Sequence, residues 1–331
     1  MKNLKVLSIV LALLGVTGAT VLVAWFGFDR VAHAVLSVGI SGFAAFSAWQ
    51  LVVMAIMGMG WWVVVPPEQR RALPVFVWGR MVRDSAAVCL PFSPVGGFAI
   101  GARAVTLHGV SWPVSAISTV VDLTAEFAAE ILFALGGLII ILGRTSDPAI
   151  AHPAEIGIVV AIAAALGILK LQRGVASMFV KLGKRLLGQW FAGAEQHGIS
   201  TVELTAMYGD SKRLALCMAA HAVGWIGKGL GNWIAFRLLG SDLDLMGGFA
   251  IEGLLHIMMA SAILIPGYAG VQEAGYIVLG SIFGVPPEIS LGVSLVRRGR
   301  DIAIGIPILL VWQFIEARNL KGRSLGGAPA S

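Results

Sequence analysis

The chain has 331 residues, 57% of them hydrophobic and 13% charged, with a mean hydropathy of +0.86. Soluble domains carry about 25% charged residues, so an ordinary water-soluble fold is excluded. The net charge of +6 therefore points to anionic lipid headgroups at the cytoplasmic face and not to nucleic acid. Cys89 and Cys217 lie far apart and form no CxxC, which supports neither a disulfide framework nor a zinc site. No metal and no cofactor is expected.

In chain order, apolar runs long enough to cross a hydrocarbon core of about 30 Å predict helices near 7–26, 36–62, 113–142, 156–172, 214–236, 245–265, 269–285 and 288–315. The first run, Leu7 to Phe26, follows Lys2 and Lys5 and exceeds the roughly 7 to 15 residues of a signal h-region, so a retained helix is expected. About eight crossings place both termini on one side. Lysines and arginines then fix which side. One set of connections holds Lys2, Lys5, Arg70, Arg71, Arg80, Arg83, Arg103, the basic residues between Lys170 and Arg213, and Arg318, Lys321 and Arg323, against Arg30, Arg144 and Arg237 opposite. This bias predicts cytoplasmic termini in a bacterial inner membrane. The expected fold is an all-α polytopic membrane protein, a single integral membrane domain over 1–331, with homo-oligomerisation left open.

Two segments interrupt the pattern. Pro66 to Arg103 carries four arginines ahead of Cys89-Leu-Pro-Phe-Ser-Pro-Val-Gly-Gly-Phe-Ala-Ile-Gly101, where Pro94, Gly96 and Gly97 disfavour continuous helix. Broken backbone at membrane depth survives only inside protein or against a cavity, which predicts a re-entrant loop; the alternative is a cytoplasmic loop with an apolar tip. The second segment, Leu264 to Gly275, contains Pro266, Gly267 and Gly270. After each break a long helix restarts, at Gly109-Val-Ser-Trp-Pro and at Gly284-Val-Pro-Pro. An offset of 175 residues sets Asp122 against Arg297 and Glu126 against Asp301. The two restarted helices should run in opposite directions, the parity of an inverted repeat, unless the likeness of the turns is chance.

Between the fourth and fifth helices, 168–212 reads as a basic amphipathic cytoplasmic connection. Val175, Met178, Phe179, Leu182 and Leu186 share one face with Lys181, Lys184 and Arg185 around them.

Asp122, Glu126 and Glu130 form an i, i+4, i+8 stripe. Counting about 1.5 Å per residue, Asp122 and Arg297 fall at similar depth, near mid-membrane. Ionised groups there cost at least about 2.5 to 3.5 kcal/mol each and need a partner or a wet cavity. They predict either a headgroup site or a structural ion-pair network. Lys228 with His221, and Glu252 with His256, mark further polar inward faces.

The Pro94-Val-Gly-Gly97 loop followed by Arg103, the helix with Asp122 and Glu126, and Ile265-Pro-Gly-Tyr-Ala-Gly-Val-Gln-Glu273 followed by a helix bearing Arg297 resemble the flippase-like membrane family that includes the transmembrane region of lysylphosphatidylglycerol synthases. The Pro-Gly-x-x-Gly-x-x-Glu element is the most specific part. Phe98-Ala-Ile-Gly-Ala-Arg-Ala-Val105 departs from the commoner family form and looks more like the members associated with hopanoid biosynthesis. The resemblance implies a lipid transporter or flippase-like protein that handles a hopanoid or related lipid. Arg103, Asp122, Glu126, Glu273, Arg297 and Asp301 are then the expected substrate-binding residues. No P-loop, dinucleotide fingerprint, nucleophile elbow or HExxH motif occurs, so neither nucleotide hydrolysis nor other enzymatic activity is expected. The alternatives are a membrane scaffold for lipid-synthesis enzymes and the transmembrane part of an aminoacyl-phospholipid synthase system. The tail after Trp312, under 20 residues, leaves no room for an appended synthase domain in the expectation.

Overall fold

The computed structural model describes residues 36–90, 93–145, 147–164, 209–262 and 270–325, with residues 29, 33, 166, 167, 207 and 268 singly. The expected helix at 7–26, nearly all of the basic connection 168–212, and Pro266 and Gly267 lie outside the described residues.

The described residues are helical, without strands. They form α1 (Ile40–Val64), α2 (Leu73–Cys89), α3 (Ser93–Thr106), α4 (Trp112–Leu142), α5 (Pro148–Ala164), α6 (Ser211–Leu238), α7 (Leu245–Ser261), α8 (Val271–Ile282) and α9 (Pro287–Leu325). Among them α1, α4 and α6 are long and apolar enough to cross a membrane, and α5 and α7 are shorter apolar helices. The boundaries follow local chemistry. α1 stops before Pro66-Pro67, α2 and α4 carry proline in the first turn, and Asp210 and Asp244 cap α6 and α7 by accepting from the backbone N–H groups of Arg213 and Gly247, each at 3.1 Å.

Three expectations are corrected. Helix α5 begins at Pro148, eight residues before the expected 156, because Asp147 Oδ1 accepts from the Ala149 N–H at 2.9 Å and starts a turn there. Helix α8 has 12 residues, about 18 Å, far short of a crossing at 269–285, because Gly284 at φ 70° turns the chain inside that apolar run. The stretch from Ser93 to Gly101 is helix, not irregular loop. Pro94 sits in the first turn, where its missing N–H is harmless, and the glycines serve packing: a Cβ at Gly97 would stand 2.7 Å from the Arg83 carbonyl oxygen, and one at Gly101 2.7 Å from the Arg83 Cβ. So α2 and α3 form a tight helical hairpin.

The helices repeat. Displacing the numbering by 175 carries Gly109 (φ 86°) onto Gly284 (φ 70°) and Trp112, the first residue of α4, onto Pro287, the first of α9. With α1 matched to α6, α2 to α7 and α3 to α8, each substantial contact has its counterpart. α1 meets α2 as α6 meets α7, and α2 meets α9 as α7 meets α4, while α1 and α6 pack on each other. This reciprocity is that of two halves related by a pseudo-twofold axis. It encloses a space between them.

At the end of this bundle Arg144 grips Asp244, with Nη1 to Oδ1 at 2.8 Å. The Arg144 hydrogen bond holds the Asp244 carboxyl below the usual range. The stabilisation is present above about pH 4, the unfolded carboxyl value, and is lost as pH falls through the lowered folded value. The pair is half exposed, so the expected effect is under about 1 kcal/mol. Melting curves from pH 6 down to pH 3 should fall less steeply for Asp244→Asn than for the parent.

Candidate functional site

A cavity of about 430 Å³ lies between the two halves, lined by all four helices of each half, with α3 contributing Phe98 alone. Aromatic and thioether walls, among them Phe46, Met54, Phe127, Trp225 and Tyr276, surround five cationic and five carboxylate side chains. The cations are Arg80, Lys228, Arg297, Arg298 and Arg300, and the carboxylates are Asp84, Glu126, Glu130, Glu252 and Asp301. Ionised throughout, the lining has no net charge.

In the first half the pairs run from α2 to α4. Arg80 donates both terminal nitrogens to Glu126, at 2.8 and 2.7 Å, and its Nε to Asp84 at 2.8 Å. Arg83, 1% exposed, bridges Asp122 at 2.8 Å and Glu126 at 2.6 Å. The second oxygen of Asp122 meets His221 Nε2 at 2.8 Å, with the Cys217 thiol at 3.8 Å.

In the second half the pairs run from α7 to α9 with the polarity reversed. Arg297 donates to Glu252 at 2.6 Å and to the Tyr276 hydroxyl at 3.0 Å, and Tyr276 in turn donates to Asn232 at 2.9 Å. Arg80 and Glu252 occupy the same place in their helices, seven residues after Leu73 and after Leu245, and Asp122 and Arg297 each stand ten residues after the start of α4 and α9. Arg300 holds Asp301 at 2.7 Å and lies over the Phe46 ring at 4.6 Å.

Glu273 explains its motif. One oxygen accepts from the Gly270 N–H at 2.9 Å, closing the start of α8 where Gly270 stands at φ 79°, and the other accepts from Arg298 at 3.0 Å and Ser294 at 3.3 Å. The motif thereby ties the break to α9.

Of the expected site residues, Glu126, Arg297 and Asp301 line the cavity. Asp122 lies behind it on Arg83, Glu273 holds Arg298, and Arg103 pairs with Glu316 of α9 at 2.9 Å in a buried α3–α9 contact. Gly96 has open space beside it among the described residues, Gly97 is packed on α2, and Pro94 opens α3. Asp122 and Glu126 of the acidic stripe therefore pair with α2 and not with the Arg297 cluster that sequence depth set against them.

Arg80 and Arg83, counted on sequence among cytoplasmic charges, are 2% and 1% exposed inside the bundle. The signal available was Arg80, Arg83 and Asp84 at i, i+3, i+4 within an otherwise apolar run beginning at Leu73. Asp122, Cys217 and His221 bring three donor atoms within 4.8 Å, but Arg83 and His221 already hold both Asp122 oxygens. A cation there would face a buried guanidinium, so the residues fit an ion-pair network better than a metal centre.

Reciprocal halves around a charged, aromatic-walled chamber define a polytopic helical membrane protein with an internal polar cavity. The chain belongs to the lysylphosphatidylglycerol synthase transmembrane-region family, whose model, described as "Lysylphosphatidylglycerol synthase TM region", matches residues 6–308. Membership places it among membrane proteins of lipid-related processes. No curated protein and no solved structure matches the chain.

Proposed function

We propose that this protein moves a lipid headgroup through the chamber between its two halves, as a transporter or flippase-like protein without nucleotide hydrolysis or other enzymatic activity of its own. The observation that carries the reading is the cavity, with paired charges inside aromatic walls at the junction of a repeat. Transporters built from repeats bind substrate at that junction, near broken helices. A lipid suits it because the apolar body can stay in the bilayer while only the headgroup needs a polar path. The α2–α3 hairpin and the break before α8 serve as re-entrant elements flanking that path. Glu126, Arg297 and Asp301 face the headgroup, while Asp122, Arg103 and Glu273 hold the frame. The subgroup likeness at Phe98 to Val105 favours a hopanoid or related lipid, in a bacterial inner membrane with cytoplasmic termini.

The test compares lipids of inner and outer membranes with and without the protein. Transport predicts a changed distribution with unchanged total lipid. A changed total with unchanged distribution would assign it to synthesis or scaffolding instead.

A further inference from the structure

We propose that Lys228 and Glu130, beside the already paired Glu126, Arg297 and Asp301, are the charged side chains that bind the ligand directly, and that they select a zwitterionic headgroup, one presenting both an anionic oxygen and an amine. The proposal rests on the lipid-handling reading above, though not on its hopanoid likeness, and narrows the substrate class by charge.

Most of the charge in the cavity is already compensated within the protein. Arg80 and Glu126, Arg297 and Glu252, and Arg300 and Asp301 form ion pairs, and Arg298 holds Glu273. Lys228 and Glu130 differ. Both face the cavity, from α6 and α4, and among the described residues neither closes an ion pair or hydrogen bond with any side chain. Lys228 instead rests its ammonium 3.8 Å from the centroid of the Trp225 ring. That contact fixes the nitrogen in position and leaves its N–H donors free, because the ring face accepts charge without taking a directed hydrogen bond. Trp225 is itself held, stacked on Phe133 at 5.7 Å and edge-on to His256 at 4.7 Å.

A cation and a carboxylate that act on each other through space but close no direct ion pair are costly at this depth, and such groups mark substrate paths. A ligand with one negative charge would satisfy Lys228, leave Glu130 unpaired, and give the chamber a net charge. A cationic ligand would do the reverse. A neutral acyl glycerol would leave both without a charged partner. Only a headgroup carrying both charges answers both side chains and preserves the balance of the five cations and five carboxylates in the lining. A volume of about 430 Å³ accommodates such a headgroup while excluding two acyl chains, which stay in the bilayer.

The experiment uses the purified full chain in a neutral detergent and three short-chain probes: dihexanoylphosphatidylethanolamine (zwitterionic), dihexanoylphosphatidylglycerol (anionic) and dihexanoylglycerol (uncharged). Apparent affinity is read from the rise of the unfolding midpoint with probe concentration. The zwitterionic probe should bind about ten-fold more tightly than either other probe, the difference expected of one desolvated charge pair. Lys228→Met should lose about ten-fold for both phosphate-bearing probes, and Lys228→Arg should restore most of it. Glu130→Gln should weaken the zwitterionic probe alone, so that it and the anionic probe bind alike. Equal binding of all three probes, or tighter binding of the anionic one, overturns the substrate class while leaving lipid handling intact. Failure of every probe to bind the parent chain overturns the substrate class and glycerolipid handling together, and the lipid-distribution comparison alone then decides the proposed function. Unchanged binding by a folded Lys228→Met protein removes that residue from the site.

Discussion

Glu126→Gln should lower the unfolding midpoint of the purified protein by on the order of 10 °C, the largest stability loss expected from any single cavity residue. Glu126 is the shared acceptor of Arg80 and Arg83, both almost wholly buried, and it takes three of their hydrogen bonds. Removing one partner of a buried charge pair costs about 3 to 5 kcal/mol, because the remaining charge stays in a poor solvent. Here two guanidiniums lose a partner at once. Asp84 and Asp122 cannot replace it, since each already serves one of them. By contrast, Asp301→Asn leaves Arg300 beside Phe46 at the cavity wall and should shift the midpoint far less. Differential scanning of the two variants in one detergent decides the point. Equal midpoints would mean that water in the chamber solvates Arg80 and Arg83, and that the first cluster is wet and not structural.

The consequence reshapes what the intramembrane charges mean. Sequence depth set Asp122 opposite Arg297, and both do stand ten residues into equivalent helices. Equal depth, however, arises from the repeat and not from contact. Each long helix closes its ion pairs with the hairpin of its own half, Asp122 with Arg83 and Arg297 with Glu252, so the two clusters face each other across the cavity. Hydropathy could not reveal this, because the arginines that complete the first cluster lie in the region whose prolines and glycines read as a loop.

Helices α1, α4 and α6 were legible because no proline interrupts them past the first turn and their charges are too few to mask a long apolar run. The shortness of α8 was not, since the apolar pattern of Val271 to Ile282 continues through Phe283 and Val285 and only Gly284 turns the chain. Glu273 could be singled out by its motif, yet its double attachment to Gly270 and Arg298 depends on α9 packing against α8, which local pattern does not encode. Lys228 and Glu130 were visible as polar residues on apolar faces. That neither closes an ion pair among the described residues emerges only once the neighbouring charges are placed.

Two adjacent glycines give the sharpest test of how the first half is built, because sequence treats them alike and the packing does not. Beside Gly96 a Cβ meets nothing within 4 Å among the described residues, whereas at Gly97 it would lie 2.7 Å from the Arg83 carbonyl oxygen and 3.1 Å from the Ala87 nitrogen. The obstacle at Gly97 is backbone, which cannot rotate away as a side-chain end could. Leucine there must push α3 off α2, and it pushes at Arg83, the residue that carries both Asp122 and Glu126. Gly97→Leu should therefore cost at least about 1 to 3 kcal/mol by overpacking alone, and more as the Arg83 pairs stretch. Gly96→Leu should change stability by less than about 0.5 kcal/mol, since it adds a side chain in open space and replaces glycine by a better helix former. Expression level, unfolding midpoint and lipid distribution should all separate the two variants in that order. Equal and severe loss in both would mean that the Gly96 face packs against something absent from the described bundle, while equal tolerance would mean that α2 and α3 are not held together at Gly97.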